Sequence, residues 1–187
     1  MNFKKQNILL LLFLFLYPRV ESAERIFLYK GNFSRTIEIE ELNEYVTTKK
    51  PSKKIQNLIK ITNQNDKDLH KFLSYQIEVP IKASSRLMNS KIGEVFLNRL
   101  SKVIYPNKTS DIKTSIKAIR SGIILSSYKN NQSINIIDFF NEYPNKNIAI
   151  DLDALNKALK KVDSLKKLID FYSSSPFKKL KDGRSST

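Results

Sequence analysis

RIFLYKGNFSRTIEIEELNEYV, residues 25–46, decides the fold. Two β-prone runs, Arg25 to Tyr29 and Phe33 to Ile39, flank Lys30-Gly31-Asn32. Gly31 and Asn32 can supply the positive φ of a tight turn, so the stretch predicts a β-hairpin. The second arm places Ile37 and Ile39 on one side and Thr36 and Glu38 on the other. It then runs into Glu40-Glu41-Leu42-Asn43-Glu44-Tyr45-Val46, where acids face the unpaired N–H groups of a helix start.

Beyond that segment the helical period dominates. Ile55, Leu58, Ile59 and Ile61 follow Pro51-Ser52, and Leu69, Phe72 and Leu73 follow Asn65-Asp66, giving two short amphipathic helices. Ser90 can cap a longer helix carrying Ile92, Phe96, Leu100, Val103 and Ile104, which stops at Tyr105-Pro106-Asn107. Ser110 or Asp111 caps the next, whose Ile112, Ile116, Ile119, Ile123 and Ile124 predict a buried stripe. Ser133 starts another, stopped at Tyr143-Pro144-Asn145. The repeated Tyr-Pro-Asn-Lys at 105–108 and 143–146 is no internal repeat, because the preceding helices do not match.

Residues 147–152 alternate Ile148, Ile150 and Leu152 with polar or small residues and read as a late strand pairing with the hairpin. Asp151 can cap a last helix with Leu155, Leu159, Val162, Leu165 and Ile169 on one face and lysines mostly outside it. The expected fold is mainly α (α+β). It is a single helical domain over residues 23–172 with a small antiparallel sheet from the hairpin and the late strand, followed by a flexible basic tail at 173–187.

Composition narrows the chemistry. The 187 residues include no Cys and one His, His70, which excludes a thiol nucleophile, a disulfide framework and Cys- or His-rich metal sites. The glycines at 31, 93, 122 and 183 do not bracket a serine, so there is no G-x-S-x-G turn to present a nucleophile. A triad would have to use His70, read here as a surface residue. The acidic candidates have simpler roles: Glu38, Glu40, Glu41 and Glu44 complement a helix dipole, and Asp151 and Asp153 cap. No calcium loop follows Asp151-x-Asp153, which lacks the later Gly and Glu. No cofactor is expected.

The formal charge is +15, but 26 of the 33 basic residues are Lys, and Lys, Ile and Asn are the residues of A/T-rich codons. Phosphate recognition favours the bidentate fork of Arg, which is scarce, so a nucleic-acid partner is not expected. Residues 1–22 have the order of a secretory signal: Lys4 and Lys5, the apolar run Ile8 to Tyr17, then Pro18 and a polar stretch with Val20 and Ser22 before Ala23. The run is shorter than the ~20 residues of a membrane span. Export to a periplasm, a thylakoid lumen or the extracellular space is therefore expected. In a eukaryotic pathway Asn32, Asn107 and Asn131 would be sequon asparagines, though such triplets arise by chance in an Asn-rich chain.

Four stretches in order carry a family resemblance. They are Ala23-Glu24-Arg25-Ile26 with Tyr29, Gly31, Arg35 and Ile37; Gly93-Glu94 with Leu97, Leu100 and Val103; residues 118–125; and Phe140 through Tyr143-Pro144 to Ile148-x-Ile150-Asp151-Leu152. The chain resembles the N-terminal helical domain of unknown function of secreted α/β-hydrolase-like proteins, chiefly of cyanobacteria. The resemblance implies a domain that precedes a hydrolase part holding the catalytic residues, with none of them at the matched positions. Gly31, Arg35, Arg120 and Asp151 are the family-matched positions singled out. Their expected structural roles are a turn, a surface or sheet ion pair, a helix-face charge and a cap.

The expected function is a noncatalytic binding or interaction module, with no activity of its own, acting on a partner protein or hydrolase domain or taking an apolar ligand between helices. A peripheral module on an anionic membrane surface, carried by the lysines of the last helix, is one alternative. The accessory half of a split hydrolase is another, and a carboxylate enzyme comes third in rank.

Overall fold

A computed structural model describes residues 22–62, 65–109, 111–130 and 133–160. Residues 1–21 of the predicted leader, the predicted basic tail at 173–187 and the Val162, Leu165 and Ile169 part of the last predicted apolar face lie outside the described residues. The hairpin forms as its sequence predicts. Strand β1 (Arg25–Lys30) pairs antiparallel with β2 (Phe33–Glu38), with Lys30 opposite Phe33 across a two-residue turn. Gly31 alone of the two turn residues takes a positive φ, +53°. That is the pattern of a turn with Gly at its first central position.

Among the described residues eight helices follow or intervene: α1 (Ile39–Thr48), α2 (Lys53–Thr62), α3 (Asp66–Ser74), α4 (Ile81–Met88), α5 (Lys91–Leu100), α6 (Ile112–Lys129), α7 (Ile136–Asn141) and α8 (Leu152–Lys160). Two further strands complete the main sheet: β4 (Ile104–Pro106) and β6 (Asn147–Asp151). Its order is β2-β1-β6-β4. A second, two-stranded sheet pairs β3 (Ile77–Glu78) with β5 (Ser133–Ile134).

The α+β class therefore holds, but the main sheet is mixed rather than antiparallel. Strand β6 runs parallel to β1, with Ile26 beside Ile148 and Leu28 beside Ile150, and antiparallel to β4. Parallel neighbours need a long crossover, and the more than one hundred residues between β1 and β6 supply it. Ile26, Leu28, Ile37, Ile148 and Ile150 share one face of this sheet and are all buried. The predicted helix ending at Ile104 stops at Leu100 instead. Val103 and Ile104 turn into the sheet, where the Val103 carbonyl accepts the Asp151 N–H at 2.9 Å.

Helix α6 is the hub, in contact with α4, α5, α7, β4 and β5. The predicted isoleucine stripe is only partly its buried face. Ile119 is fully buried, but the other buried positions are Ser115, Ala118, Gly122, Ser126 and Ser127, and Ile112 is half exposed. Small side chains let three helices approach closely, since interaxial distance follows the residues at the contact. At Gly122 an added Cβ would stand 3.0 Å from the Phe139 ring.

Ser90 and Asp111 cap as expected, accepting from the Gly93 N–H at 3.0 Å and from the Lys113 and Thr114 N–H groups. The helix predicted from Ser133 begins later, because Ser133-Ile134 pairs as β5. Asn135 and Asp138 exchange side-chain bonds with each other's N–H at the start of α7. Helix α4 has no counterpart in the sequence reading. It turns into α5 through a tight corner, where the Ser90 hydroxyl donates to the Leu87 carbonyl at 2.7 Å.

Candidate functional site

The hairpin and α2 face each other across a concavity at the surface. Helix α2 is tied to the hairpin at both ends. At its N-terminal turn Lys54 Nζ lies 3.0 Å from Glu41 Oε2 and 3.8 Å from Glu38 Oε1, next to the end of β2. At its last turn the Ile61 carbonyl accepts from Lys30 Nζ at 3.2 Å, next to the hairpin tip. A cation there also complements the negative end of the helix. The helix thus runs beside β2 in the opposite direction.

Between these ties lies an open groove of about 770 Å³. Its hairpin wall carries Leu28, Lys30, Arg35 and Ile37, with Phe33 at the tip. Its helix wall carries Lys54, Asn57, Leu58 and Ile61, and Leu152 and Asp153 close one end. Phe33 is 75% exposed, which is unusual for so large an apolar side chain beside a cavity. Arg35 bonds only the Ser34 carbonyl, at 3.1 Å, and neither it nor Lys60 at the rim faces a carboxylate partner among the described residues. Asp153 is engaged, since its Oδ2 accepts the Gly31 N–H at 2.9 Å and so fastens the hairpin tip to α8.

Around Glu41 the electrostatics secure α2. Burial alone would raise its pKa, but bonds from Lys54, the Glu38 N–H and Ser52, with the Lys54 charge, hold the carboxyl below the usual range. Tyr105 is pushed up by burial and by the nearby Asp151 carboxylate.

Two of the four family-matched positions meet at this groove. Gly31 forms the turn and Arg35 lines the wall. Arg35 makes no sheet ion pair and stays on the surface. Asp151 lies just behind, where its Oδ1 accepts the Ala154 N–H at 2.8 Å and caps α8 as expected. Arg120 sits apart on α6, half-buried, its Nε donating to the Met88 carbonyl at the end of α4 at 3.0 Å. It is a helix-end clamp rather than a free charge on a helix face.

The sequence reading missed Lys30, Phe33, Asp153 and the helix wall as one site. The alternation of Lys30, Phe33 and Arg35 with the buried Leu28 and Ile37 was the available signal, because cross-strand partners share a face.

The catalytic candidates are dispersed. His70, read as a surface residue, is half-buried between α1 and α3. Its Nε2 lies 3.0 Å from the Val46 carbonyl, a contact that requires the N–H form there, and its ring meets Tyr45 edge-on. Tyr45 donates to Asp66 Oδ1 at 2.7 Å. Glu38 and Glu41 share Lys54. Among the described residues no group of three or more His, Asp or Glu could hold a metal ion, and no helix is long and apolar enough to cross a membrane.

The sequence family described as "Alpha/beta hydrolase of unknown function (DUF1400)" matches residues 22–151. The matched segment holds every strand of both sheets and all helices except α8. No curated protein and no solved structure matches the chain.

Proposed function

This chain belongs to the family of alpha/beta hydrolases of unknown function, and from that premise we propose that it works by binding rather than by turnover, as an exported interaction module. Its site is the groove between the hairpin and α2, and its partner is a protein that presents acidic and apolar side chains. The observation that carries this reading is the groove's composition: an apolar floor of Leu28, Ile37, Leu58 and Ile61 beneath Arg35 and Lys60, two cations that face no carboxylate among the described residues. A concave apolar surface with a few convergent charges is the ordinary form of a binding site. The absence of a nucleophile turn and the engagement of His70 by a backbone carbonyl support a noncatalytic role. Export rests on the signal-like order of residues 1–22.

The test uses the chain from Ala23 to Thr187 and a capped decapeptide whose alternate positions are Glu and Val, with Ser and Thr between. Arg35→Glu combined with Lys60→Glu should weaken binding at least about tenfold, as removal of two complementary charges does, whereas Lys82→Glu on α4 should not. Equal binding by the groove variant would overturn the reading. So would turnover of a panel of ester substrates, or binding to phosphatidylglycerol vesicles in place of the peptide. Amino-terminal sequencing of the protein from expressing cells should begin near Ala23, and an intact Met1 in a cytosolic fraction would refute export.

A further inference from the structure

The groove is bounded on one side by a sheet edge, and that edge is open. In the order β2-β1-β6-β4, β2 has one neighbour only. The two-residue turn makes Lys30 and Phe33 the closing hydrogen-bonded pair, so Phe33, Arg35 and Ile37 direct their backbone groups at β1. Ser34 and Thr36 then direct theirs outward. Both residues are exposed. Among the described residues no strand, helix or loop takes the Ser34 N–H or the two Thr36 groups, and the Ser34 carbonyl is met by its neighbour Arg35.

Native proteins protect such edges with Pro, a bulge, an inward charge or a covering element. Strand β2 has no Pro, bulge or covering element over residues 33–36, and its one charge there, Arg35, lies on the groove face. What stands beside it is α2, held off by its two end ties so that a gap remains above the strand face carrying Phe33, Arg35 and Ile37. An open strand edge beside a groove is the geometry in which an extended segment adds to a sheet, its alternate side chains entering the groove.

Resting on the binding reading above, we infer that the partner engages this site as an extended acidic segment that adds a fifth strand to the sheet at β2. Its backbone bonds the outward groups of Ser34 and Thr36. Its alternate side chains pass into the groove, the apolar ones toward Leu58 and Ile61 and the acidic ones toward Arg35 and Lys60. Charge complementarity selects this occupant, because the free charges of the groove are cations and its one carboxylate, Asp153, is already bonded to Gly31.

The experiment compares the decapeptide with two N-methylated versions of identical sequence. In one the Glu and Val positions are methylated, in the other the Ser and Thr positions. An added strand offers N–H groups of one parity to β2, so the two versions should differ in affinity by at least about tenfold, equivalent to the loss of two or three backbone bonds. Hydrogen exchange at the Ser34 and Thr36 amides should slow by a similar factor when the unmethylated peptide binds. If both methylated peptides bind equally and those amides stay unprotected, strand addition is overturned while the groove remains a binding site. If the unmethylated peptide fails to bind, the groove reading and this inference fall together.

Discussion

Gly93 offers a test in which helix propensity and packing predict opposite signs. It occupies the third position of α5, where Ala in place of Gly gains about 1 kcal/mol in an unconstrained helix. In this fold a Cβ at Gly93 would stand 1.9 Å from the Leu87 carbonyl oxygen and 2.9 Å from its carbon. That oxygen also accepts the Ser90 hydroxyl and the Ser90 N–H, so it is fixed by the corner itself. Carbon and oxygen approach no closer than ~3.3 Å in ordinary contacts, so the start of α5 must move by more than 1 Å. Overpacking of this kind costs about 1–3 kcal/mol, and losing the Ser90 cap adds about 1. Gly93→Ala should therefore destabilise by about 1–3 kcal/mol despite the propensity gain. In urea this lowers the unfolding midpoint by about 1 M, given slopes of ~1–3 kcal/mol/M. Ser90→Ala, which removes only the cap, should lose about 1 kcal/mol. A Gly93→Ala protein as stable as its parent would refute the corner geometry.

Ile148, fully buried between Ile26 and Pro106, should cost about 3 kcal/mol when cut to Ala, a fall in Tm of about 10 °C; a loss below about 1 kcal/mol would mean that β6 is not the centre of the sheet. The Glu41 carboxyl has a folded pKa below its unfolded value, so its contribution to stability is complete above the unfolded pKa and disappears as pH falls through the folded one. Between about pH 5 and 3 the parent should thus lose stability faster than Glu41→Gln, measured by urea midpoint at each pH. Parallel curves would disprove the Glu41–Lys54 tie of α2 to the hairpin.

The parts of the fold that could be read from the chain are those specified within a few residues. The hairpin announces itself through Gly31, and the helix starts at Ser90 and Asp111 are local hydrogen bonds. What could not be read depends on distant neighbours. Leu100, Val103 and Ile104 have helical spacing, yet a vacant position beside Ile150 draws Ile104 into a strand. The isoleucines of α6 advertise an apolar face, but the face with Ser115, Ala118 and Gly122 is the one other helices can approach. At the site, Gly31 and Arg35 stood out one at a time. Their shared groove depends on α2, whose placement is decided by Lys54 and Lys30 across 13 and 31 residues of chain.

The parallel union of β1 with β6 has a temporal consequence. Residues 25–30 are made early and can close their hairpin at once, but their other neighbour is residues 147–151. Contacts of such wide sequence separation form late and slowly, because a large loop must be closed before they yield any return. A nascent chain shorter than about 150 residues therefore exposes the Ile26 and Leu28 edge to whatever else is present. If the protein is threaded across a membrane, that delay keeps it loose during passage, and the sheet shuts only after its last strand has emerged.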